Sequence, residues 1–160
     1  MKLIFLLIFG VNIIYSQNKS IEYFKNIDKL KFEEKLQKIS ILDSKTCIGN
    51  AESFFSNKEL VLIEGNDGGE FSEQNYKFYI EKGEILKLNI IEYSNSKKIG
   101  ELEIIFDHKD ILYKNPKNFK TSYPIESIKK CGQILIPEFI KLQKNHKKND
   151  KPDSVPSPKR

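Results

Sequence analysis

Between Ser53 and Asn115 apolar and polar positions alternate with a period of two, broken by short charged turns. That period marks strands with one buried face. Tyr76, Phe78 and Ile80 alternate with Lys77, Tyr79 and Glu81, and after a turn Leu86, Leu88 and Ile90 alternate with Lys87, Asn89 and Ile91. A two-residue turn at Lys82-Gly83 would set Phe78 against Lys87 and split the apolar set between faces. A three-residue turn, Glu81-Lys82-Gly83, pairs Ile80 with Glu84, Phe78 with Leu86 and Tyr76 with Leu88, which keeps the set together. The pattern therefore predicts the three-residue turn. A loop at Asn95-Ser96-Lys97 then brings Leu102, Ile104 and Phe106 onto the same face.

Three segments resemble one another: Phe54 to Ile63, Tyr79 to Leu88, and Ile105 to Lys114. They lie 25 (79 − 54) and 26 (105 − 79) residues apart. Lys58 and Lys109 stand where the middle segment has Gly83, which speaks against strict repetition. The opposite face of this sheet is unusually apolar. Its candidate ligand- or partner-binding residues are Tyr79, Ile91, Tyr93 and Tyr113, with Ile85, Ile99, Ile105 and Ile111 nearby. Contiguous apolar patches mark binding surfaces when exposed, and a second packing layer, such as a terminal helix, when covered.

Helices are expected on both sides of the sheet. Ile21, Phe24, Ile27, Leu30 and then Phe32, Leu36 and Ile39 recur at near-helical spacing, with a shift around Leu30 to Phe32 that allows two short helices. Residues 40–52 read as a connector. Ile125, Ile128, Cys131, Ile134, Leu135 and Phe139 repeat the helical pattern, and Gly132 and Pro137 predict a break with a second helix starting near Pro137. The expected fold is α+β: an antiparallel β meander of about five to six strands with flanking N- and C-terminal helices.

Met1-Lys2 precedes an apolar run from Leu3 to Tyr15 and a small residue, Ser16, which is the layout of a signal peptide cut before Gln17. The run is shorter than the ~18–20 residues of a spanning helix. The expected organisation is a signal peptide at 1–16, one α+β domain at 17–143 and a disordered basic tail at 144–160. The expected location is periplasmic or extracellular. In such an oxidising compartment Cys47 and Cys131, the only two cysteines, are expected to form a disulfide.

Charge adds little to this. The chain is +5 overall, but residues 141–160 hold seven basic and two acidic side chains, so the excess sits in the tail. A folded basic face for nucleic acid is not indicated. Abundant Lys, Asn and Ile reflect base composition of the genome more than function. Glu64 to Glu70 gathers three carboxylates among glycines, but the spacing is not that of a calcium loop and reads as a turn. The two histidines, His108 and His146, have no nucleophile or metal-ligand partners in sequence, and there is no phosphate-binding glycine loop, HExxH or CxxC. No cofactor or metal is expected, and contact with a membrane only through the signal peptide. Two functions are consistent with these residues. One is a non-enzymatic binding protein whose apolar sheet face meets a protein or a small apolar ligand. The other is a small envelope hydrolase with a carboxylate pair drawn from Glu64–Glu70 or from the turn exits Glu59, Glu84 and Asp110.

Overall fold

The computed structural model describes residues 20–41, 48–69, 71–107, 110–116 and 119–149, so the signal-peptide reading, Cys47, His108 and the end of the tail lie outside the described residues. The chain divides into two compact units, Met1–Gln37 and Lys38–Arg160. In the first, helix α1 covers 20–32 and buries Phe24 and Ile27 while leaving Phe32 exposed. It stops well short of Ile39. Lys35 N–H donates to the Leu30 carbonyl (2.9 Å) and Glu34 N–H to Lys31 (3.0 Å), with Glu34 left-handed at φ 54°. Those two bonds are the closing pair that satisfies a helix's last carbonyls. The chain beyond them is free to extend, and Gln37–Ile41, rich in alternating isoleucine, forms a strand instead.

The second unit is an α+β structure built on one seven-stranded sheet with strand order β1-β2-β3-β4-β5-β6-β7. The strands are β1 Gln37–Ile41, β2 Asn50–Ser56, β3 Glu59–Gly68, β4 Ser72–Glu81, β5 Glu84–Ser94, β6 Lys97–Asp107 and β7 Asp110–Asn115. All pairings from β2 to β7 are antiparallel. Helix α2, Ile125–Asn149, follows the sheet.

The expected three-residue turn is corrected by the structure, which also shows how the apolar face survives without it. Lys82 and Gly83 form a two-residue turn, both at positive φ (52° and 83°), the geometry that matches the strand twist. Ile80 then pairs with Ile85, but the register shifts, so Tyr79 faces Lys87 and Phe78 faces Leu88. Leu86 is the extra residue of a β-bulge, and it returns Phe78, Ile80, Leu88 and Ile90 to one face. The same device recurs. Val61 follows the Asn57-Lys58 turn, Ile99 the Asn95-Ser96 turn, and Leu112 ends a matching shift opposite Ile105/Phe106. Val61, Leu86 and Leu112 are 25 (86 − 61) and 26 (112 − 86) residues apart, the spacing of the three similar segments. Ile99 carries the same bulge outside that spacing, so the device occurs in four hairpins, three of which coincide with the similar segments.

The bulged register gives the sheet a largely apolar side. Ile63, Phe78, Leu88, Ile90, Leu102 and Ile104 are sealed from solvent, and Ile128, Cys131, Leu135 and Phe139 of α2 belong to the same core. Gly132 is the point of closest approach: a Cβ there would lie 2.7 Å from Cε1 of Phe78 and 3.0 Å from Cδ1 of Ile85. Contrary to the expected break, α2 runs through Pro137 and on past Gln143. Proline deprives the Gln133 carbonyl of its donor, but Gln133 and Pro137 both lie on the exposed side of the helix, where solvent can satisfy such a carbonyl. Phe119 lies against Gly100, so the segment leading into α2 crosses the same side of the sheet.

Candidate functional site

The other side of the sheet is arranged in cross-strand rows. One row runs Phe54, Leu62, Tyr79, Lys87, Ile105, Tyr113. The next runs Glu52, Glu64, Lys77, Asn89, Glu103, and a third Asn50, Asn66, Asn75, Ile91, Glu101. The rows exist because residues two apart on each strand share a face, and hydrogen-bond register carries that face from strand to strand. The first row is largely closed. Tyr79 is 1% exposed, with the ammonium groups of Lys77 and Lys87 5.2 and 5.1 Å from its ring centre, within cation–π range.

The second and third rows line an open groove of about 610 Å³. Lys77 bonds Glu64 (3.5 Å) and Lys38 bonds Glu52 (2.6 Å), while Lys87 reaches Glu103 (2.7 Å) beside it. Glu64 and Asn66, read from sequence as part of a turn, are within a strand here, because β3 is paired with β2 as far as Asn66 and with β4 as far as Gly68. Asn89 is the anomaly in this lining. Its Oδ1 is buried and accepts no hydrogen bond, and an enclosed acceptor without a donor costs ~1–3 kcal/mol. Asparagine is also a poor strand residue. Asn89→Val is therefore expected to raise stability by about 1 kcal/mol, seen as a higher urea midpoint at unchanged m; a loss of stability would show that the amide is a structural bond.

A buried polar chain sits on the helix-bearing side. Tyr76 O–H donates to Gln74 Oε1 (2.5 Å), and Gln74 Nε2 donates to Glu92 Oε1 (2.5 Å). Glu92 Oε1 also accepts from the backbone N–H of Ser122 (2.8 Å), tying the segment before α2 to the end of β5. Burial, then the nearby Asp67, Tyr123 and Glu92, hold the Tyr76 phenol well above the usual tyrosine range. The unfolded phenol ionises near pH 10 and the folded one only above that, so the folded state keeps a proton the unfolded state has lost. Stability from this group is complete below about pH 10 and falls above it, by up to ~1.4 kcal/mol per pH unit. Unfolding midpoints measured between neutral and strongly alkaline pH should show that fall in the wild type and a weaker one in Tyr76→Phe.

Of the residues singled out from sequence, Tyr79, Ile91, Tyr93 and Tyr113 do share the second face. Only Ile91 lines the groove. Tyr93 is half-buried one row beyond it, Tyr113 is 44% exposed near the sheet edge, and Tyr79 is packed in the closed row. The asparagines were missed: 50, 66, 75 and 89 are unremarkable apart, and only strand register assembles them. Comparison with family models, with curated proteins and with solved structures finds no match to this chain.

Proposed function

We propose that this is an exported, non-enzymatic binding protein whose ligand or partner meets the second face of the sheet. The observation that supports this most directly is the asymmetry of the sheet. One face is filled by α2, and the other carries a groove of about 610 Å³, a size usual for small-ligand sites. Export rests on the N-terminal charge and hydropathy pattern.

A Cys47–Cys131 disulfide is part of the same reading. No free cysteine stands among the described residues. Ile48, next to Cys47 in the chain, is buried and lines the same small cavity of about 160 Å³ as Cys131, together with Tyr76 and Ile128. Ile48 and Cys131 thus share one cavity wall, which supports pairing of Cys131 with the residue before Ile48.

The hydrolase reading has one point in its favour. Glu52 and Glu64 are direct cross-strand partners in the groove, with Cβ atoms of such pairs ~5 Å apart. Each carboxylate, however, is engaged by a lysine, and a salt-bridged carboxylate is poorly placed to hand a proton to a leaving group. Binding is the better fit.

Native mass spectrometry of the protein from its own host tests this reading. The expected species is a chain starting at Gln17 with additional bound mass, absent in Asn75→Trp, which fills the groove. A bare chain in both would overturn the binding function, and a chain retaining Met1 would overturn export.

A further inference from the structure

We propose that the groove binds a neutral saccharide; the inference rests on the binding function above and names its ligand class. Three observations converge on it.

The first is the donor and acceptor set. Asn50, Asn66 and Asn75 are successive cross-strand partners on β2, β3 and β4, and Asn89 stands one row away on β5, opposite Lys77. All four line the groove. A carboxamide carries an acceptor and two donors on a rigid plane, and at Asn66 one donor already reaches Glu73 (3.5 Å). A sugar hydroxyl is both donor and acceptor, so a row of amides on adjacent strands matches a row of hydroxyls on a pyranose in either sense. Asparagine is common throughout this chain, but chance scatter does not account for four on one face of four adjacent strands, where β-branched residues would serve the sheet better.

The second is charge. The ionic groups in the lining are Glu52, Glu64 and Lys77, and with Lys38 and Lys77 on the two glutamates the groove is electrically balanced. A phosphorylated, sulfated or nucleic-acid ligand would meet carboxylates with no spare cation, and a basic peptide would have to break the lysine pairs. A neutral polar ligand pays neither penalty. Ile91, the cross-strand partner of Asn75, and Tyr93, opposite Glu73 in the next row, add the apolar surface on which the C–H face of a sugar ring rests.

The third is the unpaired acceptor. Among the described residues only Asn89 Oδ1 and Gln143 Nε2 are buried side-chain polar atoms without a partner, and Asn89 is the one in the groove. Native proteins retain few such atoms, and each calls for an explanation. Rotation of the Asn89 amide about its Cβ–Cγ bond turns this acceptor toward the groove, where a hydroxyl donor completes it. The cost in the unliganded protein thereby becomes a gain on binding.

The test is a titration of the ¹⁵N-labelled full chain, followed by the side-chain NH₂ resonances of its asparagines. The probes are maltotriose, cellotriose and tri-N-acetylchitotriose, with a heparin hexasaccharide and a random peptide pool for comparison. The expected result is a saturable shift of groove asparagines with at least one neutral trisaccharide. Asn75→Ala and Asn89→Ala should each weaken that binding tenfold or more, with no fall in melting temperature. Shifts produced only by heparin or by the peptides would overturn the saccharide assignment and leave the binding function standing. No shift with any probe would overturn the saccharide assignment as well, and a bare native mass would then remove the binding function with it.

Discussion

Loss of the proposed Cys47–Cys131 bond, by Cys131→Ser or by reductant, is expected to lower stability by ~4–5 kcal/mol, an upper figure from loop entropy. The two residues are 84 apart in sequence (131 − 47), and strands β2 to β7 lie between them. A cross-link of that span removes a large part of the freedom of the unfolded chain, and this is where a disulfide acts in the chain-entropy account. For a domain of this size the corresponding fall in melting temperature is roughly 10–20 °C. Serine at position 131 adds little cost of its own. Cys131 Sγ lies 3.0 Å from the Ser127 carbonyl oxygen, and a serine hydroxyl can donate to that same oxygen. The decisive comparison is a cycle. Cys47→Ser, Cys131→Ser and the double variant should lose the same amount, because any one of them removes the whole bond. Losses that add, or a wild type indifferent to reductant, would mean two independent thiols and would also weaken the argument for an oxidising compartment.

Alternation exposed the meander because burial on one face leaves a period of two in the sequence, and the helix after it because Ile128, Cys131, Leu135 and Phe139 keep a helical period. The hairpin register was not legible in the same way. Alternation identifies the face of Phe78 and Leu88 but not the turn that closes the hairpin. A turn of three residues sets Phe78 against Leu86, and a turn of two followed by a bulge at Leu86 sets it against Leu88. Both keep apolar residues paired, and the positive φ values of Lys82 and Gly83 decide for the second. Strand β1 was hidden because Leu36 and Ile39 also suit a helix, until the closing bonds at Leu30 and Lys31 end α1. The groove was the least visible feature. Asn50 and Asn89 are 39 residues apart (89 − 50), and only the pairing of four strands makes them line one surface. Sequence pointed to the face that carries the groove through Ile91 and Tyr93, but through its apolar members, whereas the open part of that face is polar.

Gly132→Val is expected to destabilise the protein by ~3 kcal/mol, at the upper end for overpacked cores. On helix propensity alone, replacing a mid-helix glycine should help, by ~0.8–1.0 kcal/mol for alanine. Position 132 reverses that sign because the helix presses its backbone onto the sheet there. The added Cβ would meet Cε1 and Cδ1 of Phe78 at 2.7 and 2.8 Å, and Phe78 is sealed from solvent, so its ring has nowhere to swing. Valine adds two methyl groups to the same collision, with Ile85 Cδ1 on the other side. Phe78→Leu should recover part of the loss in the double variant although it is itself destabilising, since it empties the space the new side chain needs. A fully additive pair would mean that α2 simply slides and that the close approach at Gly132 does not set its seat. The groove lies on the opposite face, so Gly132→Val should unfold more readily yet leave the proposed ligand binding unchanged while folded. A variant that weakened binding as much as folding would instead show that the seating of α2 sets the spacing of the asparagine rows on the far side of the same strands.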